Sequence, residues 1–263
     1  MHPVIFTLFG IPFYTYGLTT ALGFGIALAY ILLEAKQKQI KSEIILDMAF
    51  WLIIASIAGA RILFIIVEWD YYKTRPLNIL KIWEGGLVFY GGIIAAATTA
   101  MLYLKFKKQP VLTVADILAP ALLLGETIGR WGCFFAGCCY GKPTSLTWGI
   151  EMPNLVGKPW VIKGLLGVTL HPTQIYSSVA ALLIFIVIQL LKKKKHFEGY
   201  LTLWTFILYS LSRFIIEFFR GDERGWIIEN YLSTSQFISA LVFGVCLTIL
   251  LLVNKKNKST SKK

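Results

Sequence analysis

The chain has 263 residues, of which 56% are hydrophobic and only 15% charged, where a soluble domain carries about 25% charged residues. That composition argues against a water-soluble enzyme. The surplus of 26 Lys and Arg over 14 Asp and Glu, a net +12, reads as a membrane-topology signal rather than a nucleic-acid footprint.

Crossing a hydrocarbon layer about 30 Å thick takes roughly 20 mostly apolar helical residues. Seven stretches supply them, approximately 14–33, 44–66, 86–104, 112–130, 173–191, 199–218 and 235–253. Residues 1–16 contain no Lys or Arg, so the first stretch lacks a basic leader region and is expected to be retained. Alternate loops divide the positive charge unevenly. Fifteen Lys fall in one set, at 36–41, 105–108, 192–195 and 255–263, and nine Lys and Arg in the other. Short cytoplasmic loops collect positive charge, so the N-terminus is expected outside and the C-terminus in the cytoplasm. The fold expected is an all-α polytopic membrane protein of about seven transmembrane helices. A single transmembrane domain is expected over 1–253, with a small outer-face cap over about 131–171 and a disordered Lys-rich cytoplasmic tail over 254–263. Trp148 and Trp160 sit in the cap where interfacial indoles are favoured, and Pro143, Pro153, Pro159 and several glycines break any long helix there.

Ionisable residues inside apolar spans cost about 2.5–3.5 kcal/mol each on insertion scales, so their presence implies a partner or a role. Arg61 falls in the second span, Asp116 and Glu126 in the fourth, Arg130 at its end, and Arg213 and Glu217 in the sixth. Glu126 and Arg130 are four residues apart, as are Arg213 and Glu217, and Arg220 follows by three, so each set shares a helical face. Pair by pair, such charges can simply join helices. By sign, Arg61, Arg130, Arg213 and Arg220 outnumber Glu126 and Glu217, which predicts an unmatched positive site for an anion. Arginine is the residue suited to bidentate phosphate recognition, so a phospholipid head group is the expected guest.

Gly85-Gly86 and Gly91-Gly92 bracket Leu87 to Tyr90, a pattern that suits either close approach of an anion to a helix start or close helix packing. Gly137 to Lys142 lacks the spacing of a phosphate-binding loop, so no nucleotide is expected. His171-Pro172-Thr173-Gln174-Ile175-Tyr176 opens the fifth span with Pro172 near the first helical position. His171 is then an interfacial residue, a cap or a proton carrier. Cys133, Cys138 and Cys139 cluster while Cys246 stands alone. Adjacent cysteines share one zinc ion poorly, leaving a disulfide or three small thiols as open readings.

Gly129-Arg130-Trp131-Gly132, closed by Gly141, resembles the signature of the bacterial prolipoprotein diacylglyceryl transferases. Tyr16-Gly17, Gly59-Ala60-Arg61, the two glycine pairs, Asp116, His171-Pro172-x-Gln174-x-Tyr176, Tyr209 and Arg213-Phe-x-x-Glu217-Phe-Phe-Arg220 resemble further motifs of that family in order. The chain departs from the family pattern at Cys133, Ala136 and Cys138, where the family has Asn, Asn and Glu, and at Tyr90, where it has His. The resemblance implies transfer of the diacylglyceryl unit of phosphatidylglycerol to the lipobox cysteine of preprolipoprotein signal peptides in the bilayer, releasing glycerol phosphate. It implies neither cofactor nor metal, nucleotide nor nucleic acid, and a place in the bacterial cytoplasmic membrane with the site facing the outer leaflet. Arg130, Arg213, Glu217, Tyr90 and His171 are the catalytic residues it implies. Arg130, Arg61, Tyr16, Gly92, Gly141, Gln174, Tyr209 and Arg220 are those it implies for substrate binding. A sibling lipid transferase with another donor or acceptor, a membrane thiol-redox protein built on the three clustered cysteines, and a transporter are the alternatives.

Overall fold

The computed structural model describes residues 4–9, 11–81, 85–151, 167–194, 197–222, 225–229 and 231–260. Most of them are helical: α1 (Thr15–Gln37), α2 (Ser42–Val67), a short α3 (Trp69–Tyr72) with a 3-10 turn (Pro76–Leu80), α4 (Phe89–Phe106), α5 (Val111–Ala136), α6 (Thr173–Lys192), α7 (Tyr200–Glu217) and α8 (Thr234–Thr260). Among the described residues six helices, α1, α2, α4, α5, α6 and α8, are long and apolar enough to cross a membrane, the architecture expected of a multi-pass membrane protein. The predicted span at 199–218 corresponds to α7, which is not among the six. Among the described residues three antiparallel strand pairs accompany the helices: β1 (Val4–Leu8) with β2 (Ile11–Tyr14) before α1, β3 (Ile150–Glu151) with β4 (Thr169–Leu170) between α5 and α6, and β5 (Trp226–Ile228) with β6 (Leu232–Ser233) between α7 and α8.

Two boundaries differ from those read in the sequence. Helix α5 runs past residue 130 to Ala136 and ends before Gly137, whose φ of +74° is the left-handed conformation that closes many helices. Helix α8 continues through Thr260. Residues 254–260 of the Lys-rich segment therefore extend a helix, and Lys255 and Lys256 lie toward its C-terminal end, where the helix dipole favours cations. Within the predicted cap, residues 152–166, including Pro153, Pro159 and Trp160, lie outside the described residues, as do Arg224, Lys195, Lys262 and Lys263.

Two compact units make up the chain, residues 31–114 and residues 1–30 with 115–263. In the first, α2 packs on α4 through a seam of small residues. A Cβ on Gly59 would lie 2.6 Å from the Gly91 carbonyl oxygen, and one on Gly91 would lie 2.4 Å from that of Gly59. Only glycine permits this approach, the usual device where lipid supplies no hydrophobic drive between helices. Beside the seam, Arg61 holds the segment that leads into α4. Its Nε donates to the Ile79 carbonyl, its Nη1 to those of Gly85 and Gly86, and its Nη2 to those of Asn78 and Lys81, at 2.7–3.2 Å. The guanidinium also lies over the rings of Phe64 and Tyr72.

In the second unit, Leu123, Ala181, Ile184, Ile188 and Leu201 from α5, α6 and α7 form an apolar core. Elsewhere the usual order is inverted. Thr173, Gln174, Ser177, Ser178, Glu217, Arg220 and Gln236 are buried, whereas Leu182, Leu183, Ile186, Leu241 and Leu251 are exposed. A bilayer solvates the apolar surface and leaves polar groups to pair internally.

Asp116 shows why a carboxylate occupies a span. Its Oδ2 accepts from the Gly199 amide at 2.8 Å, and its Oδ1 from the amide and hydroxyl of Thr202 at 2.7 Å. It thus caps the start of α7, satisfying helix-terminal N–H groups that hydrocarbon would leave bare. Asp116→Ala is expected to destabilise the protein by about 1–2 kcal/mol and Asp116→Asn by less. Thermal unfolding in detergent measures both, and an unchanged transition for the alanine variant would contradict this role.

Candidate functional site

Arginines at the ends of α5 and α7 are held by acids on the same helices. On α5, Arg130 donates from Nε and Nη2 to Glu126 Oε1, at 2.9 and 2.7 Å. The Tyr209 hydroxyl on α7 donates to the same oxygen at 3.1 Å, so α5 and α7 meet at one carboxylate. Arg130 Nη1 and Glu126 Oε2 have no hydrogen-bond partner among the described residues. The guanidinium is thus oriented but keeps one edge available.

On α7, Arg213 Nη1 lies 2.8 Å from Glu217 Oε2, and its Nη2 donates to Ser235 on α8 at 3.3 Å. Arg220 is the most deeply buried of the three, its side chain 2% exposed. Its Nε and Nη2 donate to Asp222 at 2.6–2.9 Å, and its Nε lies 3.7 Å from Glu217 Oε2. Ser233 donates to Glu217 Oε1 at 3.2 Å. That serine and Gln236 form a reciprocal capping box at the start of α8, each accepting the other's amide at 3.1 Å. The cap of α8 therefore also fixes the carboxylate that orients Arg213.

This geometry corrects the expected surplus of positive charge. Asp222, outside any span and absent from the sequence-level count, pairs with Arg220. Arg61 belongs to the 31–114 unit, where backbone carbonyls take all three of its nitrogens. Arg130, Arg213 and Arg220 then face Glu126, Glu217 and Asp222. What distinguishes the site is fixed orientation, not unmatched charge.

A loop at residues 140–142 is threaded between His171 and the segment 219–221. The Gly141 amide donates to the His171 carbonyl, the His171 amide to Lys142, the Lys142 amide to Phe219, and the Gly221 amide to Tyr140, all at 2.8–3.1 Å. A Cβ on Gly141 would lie 2.5 Å from His171 Cβ and 2.7 Å from the Phe219 carbonyl oxygen, so no larger residue fits. His171 Nδ1 is 3.1 Å from the Tyr176 hydroxyl, which accepts from the Trp148 indole at 2.9 Å. Trp148, Tyr176 and His171 thus form one hydrogen-bonded chain, in which the tautomer of His171 sets whether its Nδ1 donates or accepts.

Gln174 Nε2 donates to the Cys138 carbonyl and Thr173 Oγ1 to that of Cys139, both at 2.7 Å. Cys133, Cys138 and Cys139 form no disulfide, and their sulfurs lie within 4.8 Å of one another. Hydrogen bonds to Cys133 and Cys139, then burial, push the Cys138 thiol above its ordinary pKa. Tyr16 packs on Gly132, where a Cβ would lie 3.3 Å from its ring and its Cα.

In the 31–114 unit, Tyr90 lies half-exposed in the first turn of α4, edge-on to Phe89. Gly92 is buried against α2, where a Cβ would lie 3.1 Å from the Ser56 carbonyl oxygen. The two glycine pairs thus serve helix packing and Arg61. Sequence reasoning missed Asp222 and the α8 cap, although Ser233-x-x-Gln236 carries the capping-box spacing.

A sequence profile described as prolipoprotein diacylglyceryl transferase matches residues 3–252. The phosphatidylglycerol–prolipoprotein diacylglyceryl transferase of Clostridium tetani is 41% identical over 249 residues, spanning 93% of this chain and 96% of that protein. The protein of the same name from Finegoldia magna is 37% identical over 252 residues, 95% of each chain. That of Listeria monocytogenes serotype 4a is 34% identical over 253 residues, 95% of this chain and 89% of its own.

Removing one member of a buried ion pair leaves the other uncompensated, at a cost of about 3–5 kcal/mol. Glu217 still lies 3.7 Å from Arg220 Nε after Asp222→Ala, so that change is expected to destabilise the protein by less than the full cost, and Arg220→Ala with Asp222→Ala to cost less than the sum of the single changes. Thermal unfolding of the three variants measures the coupling. Strict additivity would show that the pair contributes nothing.

Proposed function

The chain belongs to the prolipoprotein diacylglyceryl transferase family, and on that premise we propose that it transfers the diacylglyceryl unit of phosphatidylglycerol to the lipobox cysteine of preprolipoproteins. A thioether forms and glycerol phosphate leaves. The enzyme is a multi-pass membrane protein. We place it in the bacterial cytoplasmic membrane with the site toward the outer leaflet, the seven-span, N-terminus-outside reading that the Lys and Arg distribution favours.

The observation that carries this reading is the pair of oriented guanidiniums on α5 and α7, Arg130 held by Glu126 and Arg213 held by Glu217. In the reaction a thiolate attacks an sp3 carbon while a phosphodiester becomes a phosphate monoester with an extra negative charge. Donors fixed in advance stabilise that growing charge more than the starting diester, which is the differential binding catalysis requires. A carboxylate behind each guanidinium weakens its pull on the incoming lipid but removes the entropy of aiming it. In a site shielded from water the second effect bears on the rate.

Arg130 is assigned to the phosphate through its open Nη1 edge, and Arg213 to the developing charge beside it. Glu217 orients Arg213. Arg220, Gly141 and Tyr209 hold the ends of α5 and α7 in register, and Gln174 holds the cysteine loop. Arg61 and Gly92 shape the start of α4, which bears Tyr90. Tyr16 packs on α5 at Gly132. For the acceptor proton the candidates are Tyr90 and His171.

The test is transfer from phosphatidylglycerol to a lipobox peptide in membranes. Arg130→Ala is expected to lower turnover by at least about 10²-fold, the loss typical of one oxyanion-stabilising donor. Arg130→Lys should not restore it, because an ammonium cannot present the planar edge. Near-normal turnover of Arg130→Ala would remove it from the site. Equal turnover with a different phospholipid donor would favour the sibling enzyme that Cys133, Ala136 and Cys138 make conceivable.

A further inference from the structure

Three thiols at the end of α5 are unused by the chemistry above. Their sulfurs all lie within 4.8 Å of one another, although Cys138 and Cys139 are adjacent and side chains of adjacent extended residues point apart. The backbone resolves this. Cys139 has a φ of +61°, a left-handed conformation that residues with a Cβ rarely adopt. That turn brings both neighbouring thiols round to Cys133, so the objection to adjacent cysteines sharing one ion, which assumes extended backbone, does not hold here.

The loop is supported from behind as ligand loops are. The Cys138 amide donates to the Cys133 carbonyl at 3.1 Å. The carbonyls of Cys138 and Cys139 accept from Gln174 and Thr173 at 2.7 Å. Thr173 and Gln174 are 0% and 2% exposed, a buried outer shell of the kind that fixes metal ligands. Cys138 itself is exposed, and Cys133 and Cys139 partly so, which leaves the cluster open on one side.

We propose that Cys133, Cys138 and Cys139 bind a zinc ion as three thiolates, with the fourth position taken by the thiol of the acceptor peptide. A Zn–S distance of about 2.3 Å sets sulfurs about 3.8 Å apart in a tetrahedral shell, so the cluster closes by about 1 Å or less. Three protein ligands with one open position is the pattern of catalytic rather than structural zinc. Zinc suits the reaction because it undergoes no redox change and a thiol that coordinates it loses its proton outright. Cys133 follows Arg130 by three residues on α5, so the metal-bound thiolate and the phosphate-binding guanidinium share one end of one helix.

The step balances. On binding, the acceptor S–H gives its proton to the base named above, His171 or Tyr90. The sulfur then forms a C–S bond to the glycerol carbon of the lipid as the C–O bond to phosphate breaks, and the electron pair leaves on glycerol phosphate. A neutral thioether is a far weaker zinc ligand than a thiolate, so the product is released. The identity of the fourth ligand rests on the transferase reading; the three-thiolate site does not.

The experiment uses the full chain purified in detergent from zinc-replete cells, with metal content and Co(II) substitution as readouts. One zinc per chain is expected, and Co(II) should give sulfur-to-metal charge-transfer bands and the ligand-field bands of a tetrahedral site. The ligand-field bands should shift on adding a lipobox peptide and stay fixed when its cysteine is serine. Cys133→Ser, Cys138→Ser and Cys139→Ser should each lose stoichiometric metal, Gln174→Ala should weaken binding by about 10–100-fold, and Cys246→Ser should retain it. Absence of the cobalt bands, or a disulfide among the three thiols, while diacylglyceryl transfer proceeds would overturn the metal site and leave the transferase reading standing. Cobalt bands indifferent to the peptide thiol would overturn the fourth ligand. Bands that respond to the thiol in a protein that transfers no diacylglyceryl group would support the site and refute the transferase reading.

Discussion

Two carboxylates, Glu126 on α5 and Glu217 on α7, determine where Arg130 and Arg213 point, and much of the surrounding structure holds those carboxylates still. Tyr209 ties Glu126 to α7. Ser233, itself locked in the cap of α8, ties Glu217 to the α8 start. Asp116 sets the position of α7 by capping its first turn. A bilayer leaves no alternative, since an ion or a helix terminus within it must find its partner in the protein. The cost of burying each charge is offset by an acid within hydrogen-bonding distance, and the same pairing preorganises a site for phosphate.

That arrangement separates two meanings of an arginine in a membrane helix. Arg61 closes its nitrogens on the carbonyls of residues 78–86 and serves as a clamp for the approach to α4. Arg130 presents two nitrogens to one oxygen of Glu126 and keeps an edge open. Both are arginines near glycine motifs, and only the acceptors around them distinguish scaffold from site. Gly141 shows the same duality. It belongs to the signature, and its contribution is space, since it lets the 140–144 loop pass between His171 and Phe219.

Much of the helical framework was legible in the sequence because apolar runs of about 20 residues in so uncharged a chain admit few other readings. The pairs four apart on α5 and α7 were legible too, because helix periodicity alone puts them on one face. Less legible was anything set by backbone closure. Asp222 reaches Arg220 only because the chain turns after α7. The three strand pairs are too short to give a periodic signal, and α5 gives no break at residue 130 because its apolar pattern runs on to the glycine at 137. The convergence of Cys138 and Cys139 depends on one left-handed residue, which no propensity rule places at cysteine. Even the sign of the local charge needed the structure, since counting charges within spans omits an acid one turn beyond them.

The central claim is that carboxylate-held guanidiniums on α5 and α7 grip the phosphate of an acidic phospholipid. An experimental structure of the protein in nanodiscs containing phosphatidylglycerol examines it directly. The account predicts a phosphate oxygen within hydrogen-bonding distance of Arg130 Nη1, with Glu126 still behind the guanidinium and Arg213 beside the same head group. A lipid phosphate bound elsewhere, with Arg130 facing only protein acceptors, would contradict it.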